Sequence, residues 1–356
     1  MKIYTYYGNI KHLKAFDKEY QLKYMYAPPT NNKRRPKKSI SVRICRFCGK
    51  KSDETTFKSK PHIISRLFGN NSGVSDFECD LCNNFFSTYE SDMANFLGLT
   101  RSVNALGVQT PPTFKSYDGN IVAKKNNFKG FEGVEIVTNK EGVIQKKEEG
   151  IIEFEVIHNP YTPINIFKCL MKIALTVIPD DEVNNYRYCY DFLMKNENES
   201  YFSQHAKQIH KGISGFRVLI PYVLIFKKRN IESKLPMHWV KLYYQDSYIQ
   251  FYIPYHINDK DIYKEDVSYP LCPPLILSDT QPQGIAKIYE ILDLSSKEMT
   301  KAKVSKLNLT FDEKFLKEKN IENLESNKTD DFNYDAIMKI FLTKDSNLLN
   351  VDIGNK

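Results

Sequence analysis

Cys45-Arg-Phe-Cys48-Gly49 and Cys79-Asp-Leu-Cys82-Asn83 bracket the stretch around which the rest of the chain is organised. Each Cys-x-x-Cys pair presents two sulfur ligands on one side of a tight turn. Two such pairs complete a tetrahedral sulfur site of the kind that binds structural zinc, and Gly49 supplies the open backbone that the first turn needs. Three further cysteines are scattered along the chain: Cys169, Cys189 and Cys272. The odd total favours zinc over a disulfide framework. Because a four-cysteine site is closed, this metal is expected to stabilise the fold and not to catalyse.

One histidine lies between the two cysteine pairs, in Lys60-Pro61-His62-Ile63-Ile64, which we expect to form a strand. The chain after Cys82 predicts a helix, because its apolar residues recur at helical spacing. These residues are Phe86, Tyr89, Met93, Phe96 and Leu97. Asn83 and Glu90 lie nearly two turns apart on another face of this helix. Their oxygen atoms suit Mg²⁺ or a similar hard cation. A histidine strand and a helix with oxygen ligands, clamped together by zinc, describe a compact nuclease site.

These residues resemble an HNH endonuclease of the zinc-containing ββα-metal type. The resemblance covers roughly residues 40–98 and is carried by Cys45-x-x-Cys48, Pro61-His62-Ile63-Ile64, Gly69-Asn70 and Cys79-x-x-Cys82-Asn83. It implies hydrolysis of phosphodiester bonds in DNA, with RNA left open, in a setting of bacterial defence or restriction. It places the family's general base at His62 and its helical metal ligand at Asn83, with Glu90 as a further ligand or an orienting residue. The implied cofactors are a structural Zn²⁺ and a catalytic Mg²⁺ or Mn²⁺.

Two positions depart from the family pattern. Many relatives carry Asp or Glu directly before the histidine as a second metal ligand, where this chain has Pro61. The catalytic metal is then held either mainly by Asn83, water and substrate phosphate, or by a carboxylate that replaces the missing one. The candidate carboxylates are Asp76, Glu78 and Glu90. The family's middle asparagine also has no evident counterpart before Cys79. Pro61 therefore keeps a second function open, that of a zinc-stabilised nucleic-acid-binding protein with a degenerate nuclease site.

The charge of the chain favours a polyanionic partner, since 51 Lys and Arg residues stand against 43 Asp and Glu residues, for a net charge of +8. Arg34 and Arg35 belong to a basic, proline-broken loop, and Lys60 and Arg66 lie beside the histidine. These four residues are the candidate phosphate contacts, which would add affinity without sequence choice. A solvated charged face explains the basic loop equally well, and a surface salt bridge explains Arg66 equally well.

The 356 residues are enough for two or three domains. We expect an α+β protein with four parts: an N-terminal segment with the basic loop (1–39), the HNH module (40–98), an α+β region with antiparallel strands (99–343) and a flexible tail (344–356). The third part would recognise substrate, bind a regulatory ligand or partner protein, or form a homo-oligomer. No apolar run approaches the ~20 residues of a membrane span, and the N-terminus lacks the pattern of a signal peptide. We therefore expect a cytoplasmic protein without a membrane partner.

Beyond the module, local patterns predict individual elements. Alternating residues predict a meander of strands at 134–137, 142–144 and 151–157. A mostly apolar run bounded by prolines predicts a buried helix at 163–178, and acidic residues at 180–182 predict the start of a second helix that ends near 194. Strands are expected at 216–227 and 237–254, with a hairpin turn at 245–247 that divides the second of these ranges, and an edge strand is expected near 271–277.

Overall fold

The structure, a computed structural model, describes residues 10–29, 42–70, 72–103, 112–128, 131–148, 151–195, 204–259, 289–310, 337–343 and 349–353. The chain divides into two compact units. Unit 1 comprises Met1–Ser91 and Thr162–Glu298, and unit 2 comprises Asp92–Tyr161 and Met299–Lys356. Within the described ranges, every helix is too short or too polar to span a bilayer.

The helices in chain order are α1 (Ile10–Glu19), α2 (Asp80–Leu97), α3 (Thr100–Val103), α4 (Pro163–Val177), α5 (Asp180–Val183) and α6 (Arg187–Lys195). The strands are β1 (Tyr20–Tyr26), β2 (Phe114–Lys115), β3 (Ile121–Phe128), β4 (Phe131–Thr138), β5 (Ile144–Glu148), β6 (Ile151–His158), β7 (Ile209–Lys228), β8 (His238–Ile253), β9 (Tyr289–Leu292), β10 (Lys303–Thr310), β11 (Ile337–Thr343) and β12 (Leu349–Ile353). Short 3₁₀ turns occur at Arg66–Phe68, Asn184–Tyr186, Ala206–Gln208 and Ile257–Asp259.

Unit 1 contains an antiparallel sheet that is built on the long β7–β8 hairpin. β1 pairs with the C-terminal part of β7, and β9 pairs with the N-terminal part of the same strand. The predicted hairpin turn at 245–247 is wrong, because β8 runs through it. Gln245 pairs with Val218 in a left-handed conformation, with φ of 54°, and the register shifts on both sides of this pair. The polar triplet therefore forms a bulge inside the strand rather than a turn.

The core of unit 1 is formed around α4, in which nearly every residue is buried. Pro163 begins the helix without losing an intrahelical hydrogen bond, because the first backbone amides of a helix have no partner within it. A second apolar cluster joins α1 and β1 to the sheet and consists of Phe16, Tyr20, Leu235, Trp239 and Tyr252. The predicted buried helix at 163–178 is confirmed, whereas the predicted helix from 180 to 194 is divided into α5, a 3₁₀ turn and α6.

Unit 2 consists mainly of two antiparallel sheets. One has the strand order β12-β11-β4-β3-β2 and the other has the order β10-β6-β5. Alternate side chains from both sheets meet in one apolar core, which includes Ile121, Ile136, Ile144, Phe154 and Ile340. This arrangement follows from the period-2 pattern, since alternation places one set of side chains on the face that the other sheet covers. The strands predicted at 134–137 and 151–157 are confirmed as β4 and β6, whereas the strand predicted at 142–144 is displaced, because β5 begins only at Ile144 and continues to Glu148.

The coarse fold prediction, an α+β chain with antiparallel strands, is confirmed. The finer prediction, a ββα module, is not confirmed. In place of its two strands, the described part of residues 42–79 contains the isolated bridges Ile44–Lys51 and His62–Val74. The region expected to be a flexible tail includes β12, which pairs with β11. The basic loop with Arg34 and Arg35 and the expected edge strand near 271–277 lie outside the described residues.

Candidate functional site

The four cysteines of the two Cys-x-x-Cys pairs form one cluster in unit 1. The Sγ atoms of Cys45 and Cys82 lie 3.7 Å apart, those of Cys48 and Cys79 also lie 3.7 Å apart, and all four fall within 4.8 Å of one another. Zn–S bonds of about 2.3 Å in a tetrahedron place neighbouring sulfur atoms about 3.8 Å apart. A disulfide would need about 2.05 Å, and all four thiols are free. The cluster therefore has the dimensions of a structural zinc site.

The two halves of the cluster have different backbone origins. Cys45 and Cys48 belong to a tight turn that is closed by the bond from the Gly49 amide to the Cys45 carbonyl at 2.9 Å, with Gly49 at φ of 72°. Cys79 and Cys82 belong to the start of α2, where the Asn83 amide donates to the Cys79 carbonyl at 2.9 Å. The positive end of a helix dipole favours thiolates at that place.

Three of the four thiols have shifted pKa values. The hydrogen bond shared with Cys82 lowers the pKa of Cys45 to about 4 although burial opposes this change, whereas burial raises the pKa of Cys48 to about 11. The same hydrogen bond with Cys45 raises the pKa of Cys82 well above its ordinary value. The Cys45 thiolate is thus stabilised at the expense of Cys82, and a divalent cation would offset the repulsion between neighbouring thiolates.

The residues between the first two cysteines attach the cluster to the core of unit 1. The guanidinium of Arg46 donates to the carbonyls of Leu175, Thr176 and Ile178 at 3.1, 3.1 and 2.9 Å, which are orphan acceptors at the end of α4. The same guanidinium pairs with Asp180 and stacks 3.7 Å from the ring centre of Phe77. Nothing local in the sequence identifies Arg46, because its partners lie more than a hundred residues away.

The loop between the cysteine pairs is held by the side chains of Asp80 and Asn70. Asp80 accepts hydrogen bonds from the hydroxyls of Ser59 and Thr56, and from the backbone amides of Ser59 and Lys58 at 2.7 and 3.0 Å. These bonds, those of the hydroxyls first, hold its pKa far below the usual range. Asn70, which is 1% exposed, accepts from the amides of Ser72 and Gly73 at 3.1 and 2.9 Å.

His62 lies in the part of the loop that Asn70 organises. Its backbone forms a single bridge to Val74, flanked by bonds from Ile63 to Gly73 and from Ser75 to Pro61. The Asn70 amide nitrogen lies 2.6 Å from the Ile64 carbonyl, 3.1 Å from the Gly73 carbonyl and 3.3 Å from His62 Nδ1. Nδ1 of the ring thus has Asn70 as a contact, and Nε2 is the ring nitrogen for which the described residues supply no side-chain partner.

The imidazole of His62 is half-buried. Burial, followed by the positive charges of Arg66 and Lys172, lowers its pKa from the ordinary 6.5 to about 4. The ring is therefore neutral near pH 7 and is able to accept a proton. Asn70 is the residue that sequence reasoning left without a role, although the Gly69-Asn70 turn was part of the resemblance.

The remaining candidate residues have mixed outcomes. Asn83 and Glu90 are both half-buried on α2, and Lys60 and Arg66 are exposed. Glu78 is not free to replace the carboxylate missing at Pro61, because it is buried and pairs with Lys172 at 3.0 Å. Burial raises the pKa of Glu78, and the positive charge of Lys172 opposes this increase. The negative charge of Glu90 adds to the increase, so Glu90 lies near Glu78. Asp76 is exposed.

Among the described residues, the four cysteines are the one group of three or more His, Cys, Asp or Glu side chains close enough to hold a metal ion. A catalytic Mg²⁺ or Mn²⁺ therefore stays a prediction. Compared with protein-family models, with curated proteins and with solved structures, the chain matches none.

Proposed function

We propose that this chain is a metal-dependent endonuclease of the HNH type that hydrolyses phosphodiester bonds in DNA, in the setting of bacterial defence or restriction. One observation carries the proposal: a neutral, half-buried imidazole with an available ring nitrogen lies in a loop between the two halves of a zinc-type cysteine cluster. Such an arrangement serves a general base better than a structural histidine, whose ring nitrogens are normally both satisfied by hydrogen bonds.

In this mechanism Nε2 of His62, the ring nitrogen away from the Asn70 contact, takes a proton from the attacking water. Asn70 holds the backbone on both sides of the ring, and Asn83 supplies an oxygen ligand from the first turn of α2. A bound Mg²⁺ or Mn²⁺ would polarise the scissile phosphate and stabilise charge on the leaving oxygen. Asn70 also takes the place of the family's middle asparagine, because its side chain organises the loop that carries the base.

Substrate binding would use the exposed cations beside the loop. Lys60 and Arg66 are exposed and lie on the same loop as His62, and the net charge of +8 favours a polyanion. A phosphate bound to Arg66 would offset one of the two positive charges that lower the pKa of His62. The bound base would then titrate closer to neutrality, where proton transfer is more efficient.

The test is a plasmid-nicking assay with Mg²⁺ or Mn²⁺, with and without EDTA. His62→Ala is expected to abolish nicking and to leave the zinc content and thermal unfolding unchanged. His158→Ala is the matched control, since His158 is another half-buried histidine with a lowered pKa, on β6 in unit 2. Equal cleavage by the His62→Ala variant and the parent would refute the assignment. Cleavage of RNA but not of DNA would change the substrate class alone.

A second function is favoured by one observation, that neither Pro61 nor Glu78 offers a free carboxylate beside His62. Pro61 has no ligating group and Glu78 is paired with Lys172. A nucleic-acid-binding protein with a degenerate nuclease site would bind duplex DNA with a salt dependence set by its cations, and it would not nick DNA under any metal condition. Gel-shift measurements at several salt concentrations, made on the same samples as the nicking assay, separate the two functions.

A further inference from the structure

Lys172 is a buried lysine on α4, a helix that follows the cysteine cluster by about eighty residues of chain. Its side chain is 4% exposed. The Nζ atom lies 3.3 Å from the backbone carbonyl of His62 and 3.0 Å from Oε2 of Glu78. It also lies 5.7 Å from the ring centre of Phe86, one turn beyond Cys82 on α2. The Lys172 ammonium group therefore contacts both the His62 backbone and Glu78, the residue before Cys79, and it lies close to α2.

The charges explain why a cation is buried at this point. Glu78 is fully buried and directly precedes Cys79, so its carboxylate adds negative charge beside a cluster that is doubly negative when Zn²⁺ binds four thiolates. A buried carboxylate is costly unless it is paired and hydrogen-bonded. Lys172 supplies the pairing charge, and one of its remaining N–H groups is directed to the His62 carbonyl. The position of the loop is thereby linked to the position of α4.

We propose that Lys172 is a positioning residue of the candidate nuclease site, which holds the His62 backbone against Glu78 and α2 so that the imidazole faces the substrate. The reaction named in this proposal depends on the proposed function, whereas the positioning role depends on the contacts of Lys172. With this role for Lys172, the candidate site includes a residue of α4, which lies outside residues 40–98, the stretch that resembles an HNH module.

Lys168 provides a matched comparison, because it lies one turn earlier on α4 and is equally buried. Its Nζ atom lies 5.5 Å from the ring centre of Tyr89 and 4.9 Å from that of Phe192. The contact of Lys172 Nζ with the His62 carbonyl is what distinguishes the two lysines. A change that merely disturbs α4 should therefore affect both lysine variants alike, whereas a positioning role should single out Lys172.

The experiment uses the full-length protein with Lys172→Met, the double variant Glu78→Gln/Lys172→Met, and Lys168→Met as control. The double variant removes both charges, so it avoids the buried unpaired carboxylate that could unfold the single variant. Zinc content and thermal unfolding identify folded samples. Plasmid nicking is measured across a range of pH and substrate concentration. In parallel, the imidazole signal of His62 is followed by NMR in histidine-labelled protein and assigned by its absence in His62→Gln.

We expect folded Lys172 variants to lose roughly 10- to 100-fold in kcat with little change in KM, as misplacement of a reacting group predicts. The acid limb of the pH profile and the titration of the His62 signal should both move to higher pH, because a nearby positive charge is removed. Lys168→Met should change neither. Nicking and a His62 signal unchanged in the double variant would overturn the positioning role. A shifted His62 signal in a protein that never nicks would uphold the role of Lys172 in holding the loop and refute the nuclease assignment.

Discussion

The described part of residues 42–79 has one 3₁₀ turn and two isolated bridges, whereas residues 114–158 of unit 2 form five strands. The first segment buries polar groups such as Ser65, Asn70 and Glu78, while the second buries a continuous apolar core. The loop is ordered by thiols and by side-chain bonds to the backbone, and the sheets are ordered by apolar burial. This difference predicts that the two regions respond to different perturbations.

The largest effect is expected from removal of the metal. Cys79→Ser removes one of the four sulfur ligands and a strong chelator removes the metal, so either treatment should abolish zinc binding. The effect on stability should be large, because structural zinc contributes about 10 kcal/mol to folding. Hydrogen exchange should then rise throughout residues 42–79 and stay low in β3 and β4. Cys169→Ala, which changes a buried cysteine outside the cluster, is the control and should retain the zinc. Full protection of residues 42–79 in metal-free protein would contradict the comparison.

An apolar truncation in unit 2 tests the other half of the comparison. Ile136→Ala removes a fully buried side chain shared by both sheets and should cost about 3 kcal/mol of unfolding free energy through lost burial and a residual cavity. Zinc content should not change. Val304→Ala, on the exposed face of β10, is the control and should be nearly neutral. The measurement is chemical denaturation with metal analysis on the same samples, and zinc loss in Ile136→Ala would show that the two regions are not independent.

Asn70 allows the polar ordering of the loop to be divided into two contributions. Asn70→Ala leaves buried carbonyls and amides without partners and should cost about 2 kcal/mol of unfolding free energy. Asn70→Asp keeps the acceptor for Ser72 and Gly73 but turns a buried carboxylate oxygen toward the Ile64 and Gly73 carbonyls, so its cost at neutral pH should be larger. Hydrogen exchange of residues 62–75 measures both. Equal protection in the parent and in Asn70→Ala would show that the cluster alone orders the loop.

The smallest effect concerns pH and the β7–β8 sheet. Burial, opposed by the charge of Glu182, lowers the pKa of His238 from 6.5 to about 3, and its Nδ1 bonds the Tyr186 hydroxyl at 2.6 Å. Because the folded pKa lies below the unfolded one, the stabilisation is complete above the unfolded pKa and is lost as pH falls toward the folded pKa. Between about pH 7 and pH 5.5 the loss should be about 1 kcal/mol. His238→Asn, which can still accept the Tyr186 bond, should remove this share of the pH dependence in urea titrations, while His205 and His210, whose pKa values are also lowered by burial, keep theirs.

Sequence patterns were sufficient where the determinant is local. Helical periodicity placed α2, an apolar run bounded by prolines placed α4, and the Cys-x-x-Cys spacing placed the cysteine cluster, because each of these signals lies within a short stretch of chain. The strand expected at His62 is reduced to one bridge, since Ser65 begins a 3₁₀ turn just after the two isoleucines. The roles of Arg46 and Lys172 could not be predicted, because their partners are distant in the chain.

The contact between Arg46 and the end of α4 also affects how the protein is made. The guanidinium emerges from the ribosome with the first two cysteines, but its acceptor carbonyls follow 129 to 132 residues later. At cellular rates of synthesis this gap lasts on the order of ten seconds. During that time the nascent cysteine turn lacks the support of α4, so its attachment to the core of unit 1 is a late event in the assembly of the protein.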